Sequence, residues 1–210
     1  MKLNNYSLKL GKKILIDNVS LSFEKESINH LLGSNGAGKS CFAKSVVKLI
    51  NYSGSIEECN CDIVLISSKS NIPLDLKLKD IRVYLEKRYG IEKVEYFYNI
   101  LNLGDIPKVK IKKMSDGQKQ KIKLMWFLIK YPKLIILDEF TSALDKKTAL
   151  EMYRFLSKFI KDNKVTCINI THNLADLEYM QGSYYILNDK KIKKINSKEE
   201  VINLYVKGGI

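Results

Sequence analysis

Short apolar runs alternate with stretches of helical spacing along most of the chain. From Ile16 onward, ILIDNVSLSF (14–23) alternates apolar and polar positions, which predicts a strand with one buried face. SINHLLG (27–33) reads as a second strand ending at a glycine. KSCFAKSVVKLI (39–50) has helical periodicity, and CDIVLIS (61–67) is apolar enough for a buried strand. LKDIRVYLEKRYG and IEKVEYFYNILNLG then predict two helices, each closed by its glycine, Gly90 and Gly104. A third helix is expected to start near Asp116, because Ser115 and Gln118 have capping-box spacing. KLIILDEF (133–140) predicts a strand, TALEMYRFLSKFIKDN (148–163) a helix, and VTCINITHN (165–173) another strand. YYILNDKKIKKI (184–195) reads as a hairpin turning at Asn188-Asp189, and SKEEVINLYV (197–206) as a helix opened by a capping box from Ser197 to Glu200.

Strands alternating with helices predict an α/β layer fold with a mostly parallel sheet. The helical stretch at about 71–130 interrupts that alternation and reads as a subdomain inserted into a single domain covering 1–210. No repeat and no low-complexity linker is present.

Composition narrows the class. A chain of 210 residues with 45% hydrophobic residues, 28% charged residues and 3 prolines suits a globular protein with one substantial core. No stretch approaches the roughly 18–20 apolar residues of a membrane-spanning helix, and MKLNNYSLKLGKKIL has no apolar signal core. A cytosolic protein is therefore expected. The four cysteines (Cys41, Cys59, Cys61, Cys167) fit that compartment, and the lone C-x-C of Cys59 and Cys61 lacks the second ligand pair of a zinc site. Reduced structural thiols are the expectation. An excess of 36 basic over 23 acidic residues gives +13, enough to attract nucleic acid or anionic lipid headgroups. The lysines are scattered, however, with no arginine- and aromatic-rich tract, so charge alone reads as a solvated surface.

Two motifs carry chemistry. GSNGAGKS comprises Gly33, Ser34, Asn35, Gly36, Ala37, Gly38, Lys39 and Ser40, with Cys41 following. It matches G-x-x-x-x-G-K-[ST] and lies between a predicted strand and a predicted helix, where that pattern binds phosphate. Glycines let successive backbone N–H groups face phosphate oxygens, and the helix N-terminus adds partial positive charge. Lys39 would reach the β- and γ-phosphates, and the Ser40 hydroxyl would coordinate Mg²⁺. Downstream, LIILDEF delivers Asp138 and Glu139 to the C-terminal edge of the sheet, the usual ligand edge of α/β proteins. Asp138 is the candidate Mg²⁺ ligand and Glu139 the candidate general base for an attacking water.

Between these motifs lies MSDGQ, and with it the order of motifs resembles the ATP-binding cassette (ABC) ATPases. The family signature L-S-G-G-Q reads here as Met114, Ser115, Asp116, Gly117 and Gln118. Ser142, Ala143, Leu144 and Asp145 resemble the D-loop, and His172 resembles the switch histidine that contacts the γ-phosphate. The resemblance spans nearly the whole chain. It implies a P-loop NTPase three-layer core with a mostly parallel sheet, a small antiparallel β portion and an inserted helical subdomain. It also implies ATP and Mg²⁺ as cofactors, ATP hydrolysis, and a second cassette (the same chain or a paralogue) whose signature caps the ATP held in the partner's cradle.

The implied role is the ATPase subunit of a transporter whose permease is a separate chain, docked around residues 68–100, on the inner face of the cell membrane. Small size leans toward export of a peptide, lipid or drug-like compound. Nucleic acid is not an expected partner. The competing readings are a soluble cassette in iron–sulphur assembly or ribosome work, and a regulatory cassette with weak hydrolysis. Three positions depart from the family. Asp116 replaces a glycine. The Mg²⁺-binding glutamine expected in LISSKSNIP is missing, with Ser68 as the best alignment and Ser67 and Lys69 as alternatives. The adenine-stacking aromatic falls on Leu10, or on Tyr6 if the register shifts.

Overall fold

A computed structural model describes residues 1–57, 62–67 and 72–206. An antiparallel sheet joins β1 (Lys2–Leu10), β2 (Lys13–Ser22) and β4 (Tyr52–Glu57) in the order β2-β1-β4. The other strands are β3 (Ile28–Leu32), β5 (Ile63–Ser67), β6 (Leu134–Asp138), β7 (Thr166–Ile170), β8 (Ser183–Asn188) and β9 (Lys191–Ile195). They form a central six-stranded sheet in the order β5-β6-β7-β3-β8-β9, parallel except for the β8–β9 hairpin.

Alternate side chains of a strand point to opposite faces, and β6 shows how this builds layers. Leu134 and Ile136 pack with α1 (Lys39–Val46) and the antiparallel sheet, beside Leu3, Tyr6, Leu8 and Phe42. Ile135 and Leu137 face the other way, into a cluster made with α2 (Leu78–Tyr89), α3 (Ile91–Ile100), α4 (Asp116–Leu128) and α5 (Lys146–Asp162). α6 (Leu174–Tyr179) and α7 (Lys198–Val206) pack through Leu177 and Val201 beside Leu32 and Ile186 of β3 and β8. The three layers and mostly parallel sheet agree with the expectation. No helix among the described residues is long and apolar enough to cross a membrane.

Several sequence expectations need correction. The apolar pattern does not disclose β1 or β4. Buried Leu3, Tyr6 and Leu8 lose period-2 spacing because the register shifts around Asn5, whose φ is 46°. β4 is a mostly exposed, polar edge strand and carries no apolar signal. α3 stops at Ile100, because Asn102 takes the left-handed conformation at φ 50°, and Gly104 falls inside a 3₁₀ turn over Leu103–Asp105 instead of capping the helix. The hairpin turns one residue later than expected, at Asp189 and Lys190, both with positive φ, while Asn188 pairs with Lys191. α4 does begin at Asp116, and the Ser197 hydroxyl accepts the Glu200 N–H at 3.1 Å to open α7. Cys41 and Cys167 are free thiols, whereas Cys59 and Cys61 lie outside the described residues.

Candidate functional site

The cradle is built at the end of β3. Leu31 and Leu32 are fully buried, so the chain is anchored until the glycines begin. Gly38 sits at φ 110° directly before α1, and a Cβ there would lie 2.9 Å from the Leu15 Cβ. No L side chain fits both constraints. The turn delivers Lys39 and Ser40 to the first turn of the helix.

Lys39 is 6% exposed and folds back over the loop, donating from Nζ to the carbonyl oxygens of Gly33 at 2.6 Å and Ser34 at 2.9 Å. Burial pushes its pKa down, and Glu139 and Asp138 oppose that shift. The lysine is thus held over the cradle by neutral acceptors that an anionic phosphate can replace. Ser40 Oγ donates to Asp138 Oδ1 at 3.1 Å, joining the start of α1 to the end of β6. Burial is also the main influence on Asp138, pushing its carboxyl up against the opposing hydrogen bond from Ser40.

Glu139 follows β6 in the left-handed region at φ 51°, which costs a residue with a Cβ about 1–2 kcal/mol. Its N–H donates to Ile170 O at 2.9 Å, and its carbonyl accepts the Ser142 hydroxyl at 2.9 Å. His172, just past β7, places Nδ1 3.3 Å from Glu139 Oε1. Lys39, Ser40, Asp138, Glu139 and His172 therefore converge on one sheet edge.

The signature segment serves its own helix. Ser115 Oγ accepts the Gln118 N–H at 3.3 Å while Gln118 Oε1 accepts the Ser115 N–H at 3.0 Å, a complete capping box. Ser115 is exposed, so Ser115→Ala isolates the cap; it should lower unfolding free energy in urea by about 1 kcal/mol. Gly117 lies against α5, where a Cβ would meet Thr148 Cγ2 at 2.8 Å. The Thr148 N–H in turn donates to Asp145 Oδ1 at 3.0 Å, so signature and D-loop sit side by side. The Asp116 carboxylate is exposed, with Lys119 Nζ 3.3 Å away, and its negative charge suits a helix N-terminus.

Of the two adenine-stacking candidates, one is buried and the other exposed. Tyr6 is fully buried, its hydroxyl 2.6 Å from Ser45 Oγ and its ring edge-on to Phe42, so it cannot stack on a nucleotide. Leu10 is 55% exposed at the end of β1. Ser68 and Lys69 lie outside the described residues, and Ser67 ends β5 with its carbonyl accepting Lys123 Nζ at 3.1 Å.

The motifs do not disclose the polar groups buried behind the site. Asp176 on α6 accepts the hydroxyls of Thr141 and Tyr153 at 2.7 Å each and the Asn169 amide at 3.0 Å. This carboxylate links the segment after Glu139 with the one after His172. Its spacing from His172 is visible along the chain, but nothing in the sequence pairs it with Thr141.

Comparison with known proteins settles the family. The model of the family described as ABC transporter matches residues 16–142, more than half of the chain. The chain belongs to the ABC transporter family. It is the ATP-binding, ATP-hydrolysing type of component. "Probable peptide export ATP-binding protein YydI" of Bacillus subtilis is 42% identical over 209 residues, covering 98% of this chain and 99% of that one. The lantibiotic transport ATP-binding protein SrtF of Streptococcus pyogenes is 29% identical, over 98% of this chain and 95% of its own length. Two solved structures share the fold. An inward-facing ABC transporter described as of metal-chelate type superposes at TM-score 0.80 with 21% identity, over 96% of this chain and 84% of that chain. The ATP-binding cassette MJ0796, in a dimeric post-hydrolysis state with ADP and Pi, superposes at 0.72 with 22% identity, over 93% and 99%.

Proposed function

We propose that residues 1–210 form one cassette domain that drives export of a peptide through a separate permease, acting from the cytoplasmic face of the membrane. Similarity to YydI over nearly the full length of both chains supports the cargo class. The net charge of +13 favours a position beside anionic lipids. The observation that carries the chemistry is the convergence of cradle, acidic pair and histidine on one sheet edge.

Residues 33–41 cradle the triphosphate, with backbone N–H groups and Lys39 facing its oxygens. Ser40 and Asp138 are the residues that would hold Mg²⁺. Their paired hard oxygens fit that cation, and a burial-raised carboxyl gains from a positive charge beside it. When bound, Mg²⁺ neutralises charge on the phosphate oxygens. Glu139 takes a proton from the attacking water as the new bond to the γ-phosphorus forms and the bond to the ADP oxygen breaks. His172 turns Nδ1 toward Glu139, leaving Nε2 free to bind a γ-phosphate oxygen. Ser115, Asp116, Gly117 and Gln118 cap the ATP of a second cassette, and the D-loop from Ser142 to Asp145 lies beside them. Phosphate release from Mg-ATP by the purified chain, lost in Glu139→Gln, tests this assignment.

A further inference from the structure

The helix that carries the signature also reaches the backbone that holds Glu139. Gln120 lies on α4, two positions beyond the capping box, and is only 4% exposed. Its Nε2 donates to the carbonyl oxygen of Phe140 at 3.3 Å, inside the core. One turn further on, Lys123 donates from Nζ to the carbonyl of Ser67, the residue that pairs beside Asp138 in the parallel register of β5 and β6. One face of α4 thus grips the ends of both strands that border the site.

The grip on Phe140 bears on Glu139. A residue in the left-handed region keeps that conformation only where its surroundings over-determine it. The Glu139 N–H is held by Ile170 O and its carbonyl by Ser142, both from the sheet edge or the D-loop. The next carbonyl, that of Phe140, is held by Gln120 from the signature helix. The orientation of the amide is fixed by chemistry, since a carbonyl accepts only a donor and Nε2 is the donor of the pair. The other end of the same amide, Gln120 Oε1, is buried and finds no donor among the described residues. A polar side chain kept in the core with one end unpartnered is poorly explained by stability alone.

We infer that Gln120 is a positioning residue, which couples engagement of the signature by the partner's nucleotide to the placement of Glu139 in its own site. This rests on the reading of Glu139 as the general base. A displacement of α4 when Ser115 meets a phosphate moves the Gln120 amide with it, because both lie on one hydrogen-bonded helix. Phe140 and the left-handed Glu139 then follow. Gln120 touches no reacting atom; it sets where the base stands.

The test is Gln120→Met, which keeps the length of the side chain and removes both the donor and the unpartnered acceptor. Phosphate release should show kcat lowered about tenfold to a hundredfold, as for a base slightly misplaced, with KM for ATP unchanged. Thermal unfolding should change little, since the unpartnered Gln120 Oε1 is removed while the Phe140 carbonyl loses its donor. In a Glu139→Gln background, ATP should still assemble the dimer. A kcat equal to that of the wild type overturns the inference, as does a fall in kcat matched by failure of the ATP-dependent dimer to form. If Gln120→Met does not fold, Gln120→Asn retains an amide too short to reach Phe140 and should show the same split between kcat and KM; normal kcat there also overturns it. An inactive wild type would instead count against the ATPase reading, so the two failures are distinct.

Discussion

Glu139→Gln should lower phosphate release by about 10²–10⁴-fold, the contribution of a positioned general base, and leave ATP affinity intact. Gln has the size of Glu and still bonds to water, but it cannot take a proton at neutral pH. None of the main-chain hydrogen bonds at Glu139, to Ile170 O and from the Ser142 hydroxyl and N–H, uses the carboxylate, so the loop keeps its shape. The substitution weakens the 3.3 Å approach of His172 Nδ1 to the carboxylate, a partly exposed pair that contributes little to folding, and removes one of the negative charges that support the Lys39 cation. Single-turnover phosphate release alongside equilibrium binding of a fluorescent ATP analogue separates these effects. An equal fall in binding and turnover would remove Glu139 from the chemical step.

Lys39→Met should act on the opposite quantity. Nζ holds two carbonyl oxygens in the nucleotide-free chain, and in the proposed binding mode it exchanges them for phosphate oxygens. Each charged hydrogen bond is worth about 1.5–3 kcal/mol, so the variant should bind ATP roughly a hundredfold more weakly. Stability should not fall with affinity. Burial already disfavours the lysine cation, and a methionine of similar length removes a desolvated charge from the loop. Calorimetric titration with Mg-ATP and thermal unfolding of the nucleotide-free variant measure the two terms. Unaltered affinity would mean that the lysine stays on Gly33 and Ser34 when nucleotide is bound.

How far the sequence discloses such a site depends on what each residue needs from its neighbours. Lys39, Ser40, Asp138, Glu139, Ser115 and His172 occupy fixed places at strand and helix ends, so their spacing along the chain already carries their positions in space. The capping box at Ser115 joins residues three apart and is legible for the same reason. Gln120 and Lys123 are not, because their partners Phe140 and Ser67 lie on strands or strand ends that meet α4 only after folding. A lysine inside IKLMWFLIK looks like a solvated face until β5 packs against it. Asp176 is hidden likewise, since its three donors come from β7, α5 and the segment after β6. Tyr6 shows the reverse case. Its place near the N-terminus suggests a role at the nucleotide, whereas the bulge at Asn5 turns its ring into the core.

Asp116 places a carboxylate where a partner's phosphate would arrive, and Lys119, 3.3 Å away on the same helix, offsets its charge. The capping geometry of α4 is intact around it, with Ser115 and Gln118 fully engaged. In the proposed two-chain arrangement, this exposed helix N-terminus is the surface that meets the partner's nucleotide.

The most direct measurement is molar mass by light scattering on Glu139→Gln, with and without Mg-ATP, alone and combined with Ser115→Arg. The proposed two-chain sandwich requires a doubling of mass on adding Mg-ATP to Glu139→Gln. It requires no change in the double variant, because the bulky cation blocks the helix end that must meet the partner's phosphate. A chain that binds Mg-ATP yet stays monomeric in both proteins, or one that dimerises equally well with Arg at position 115, would contradict it.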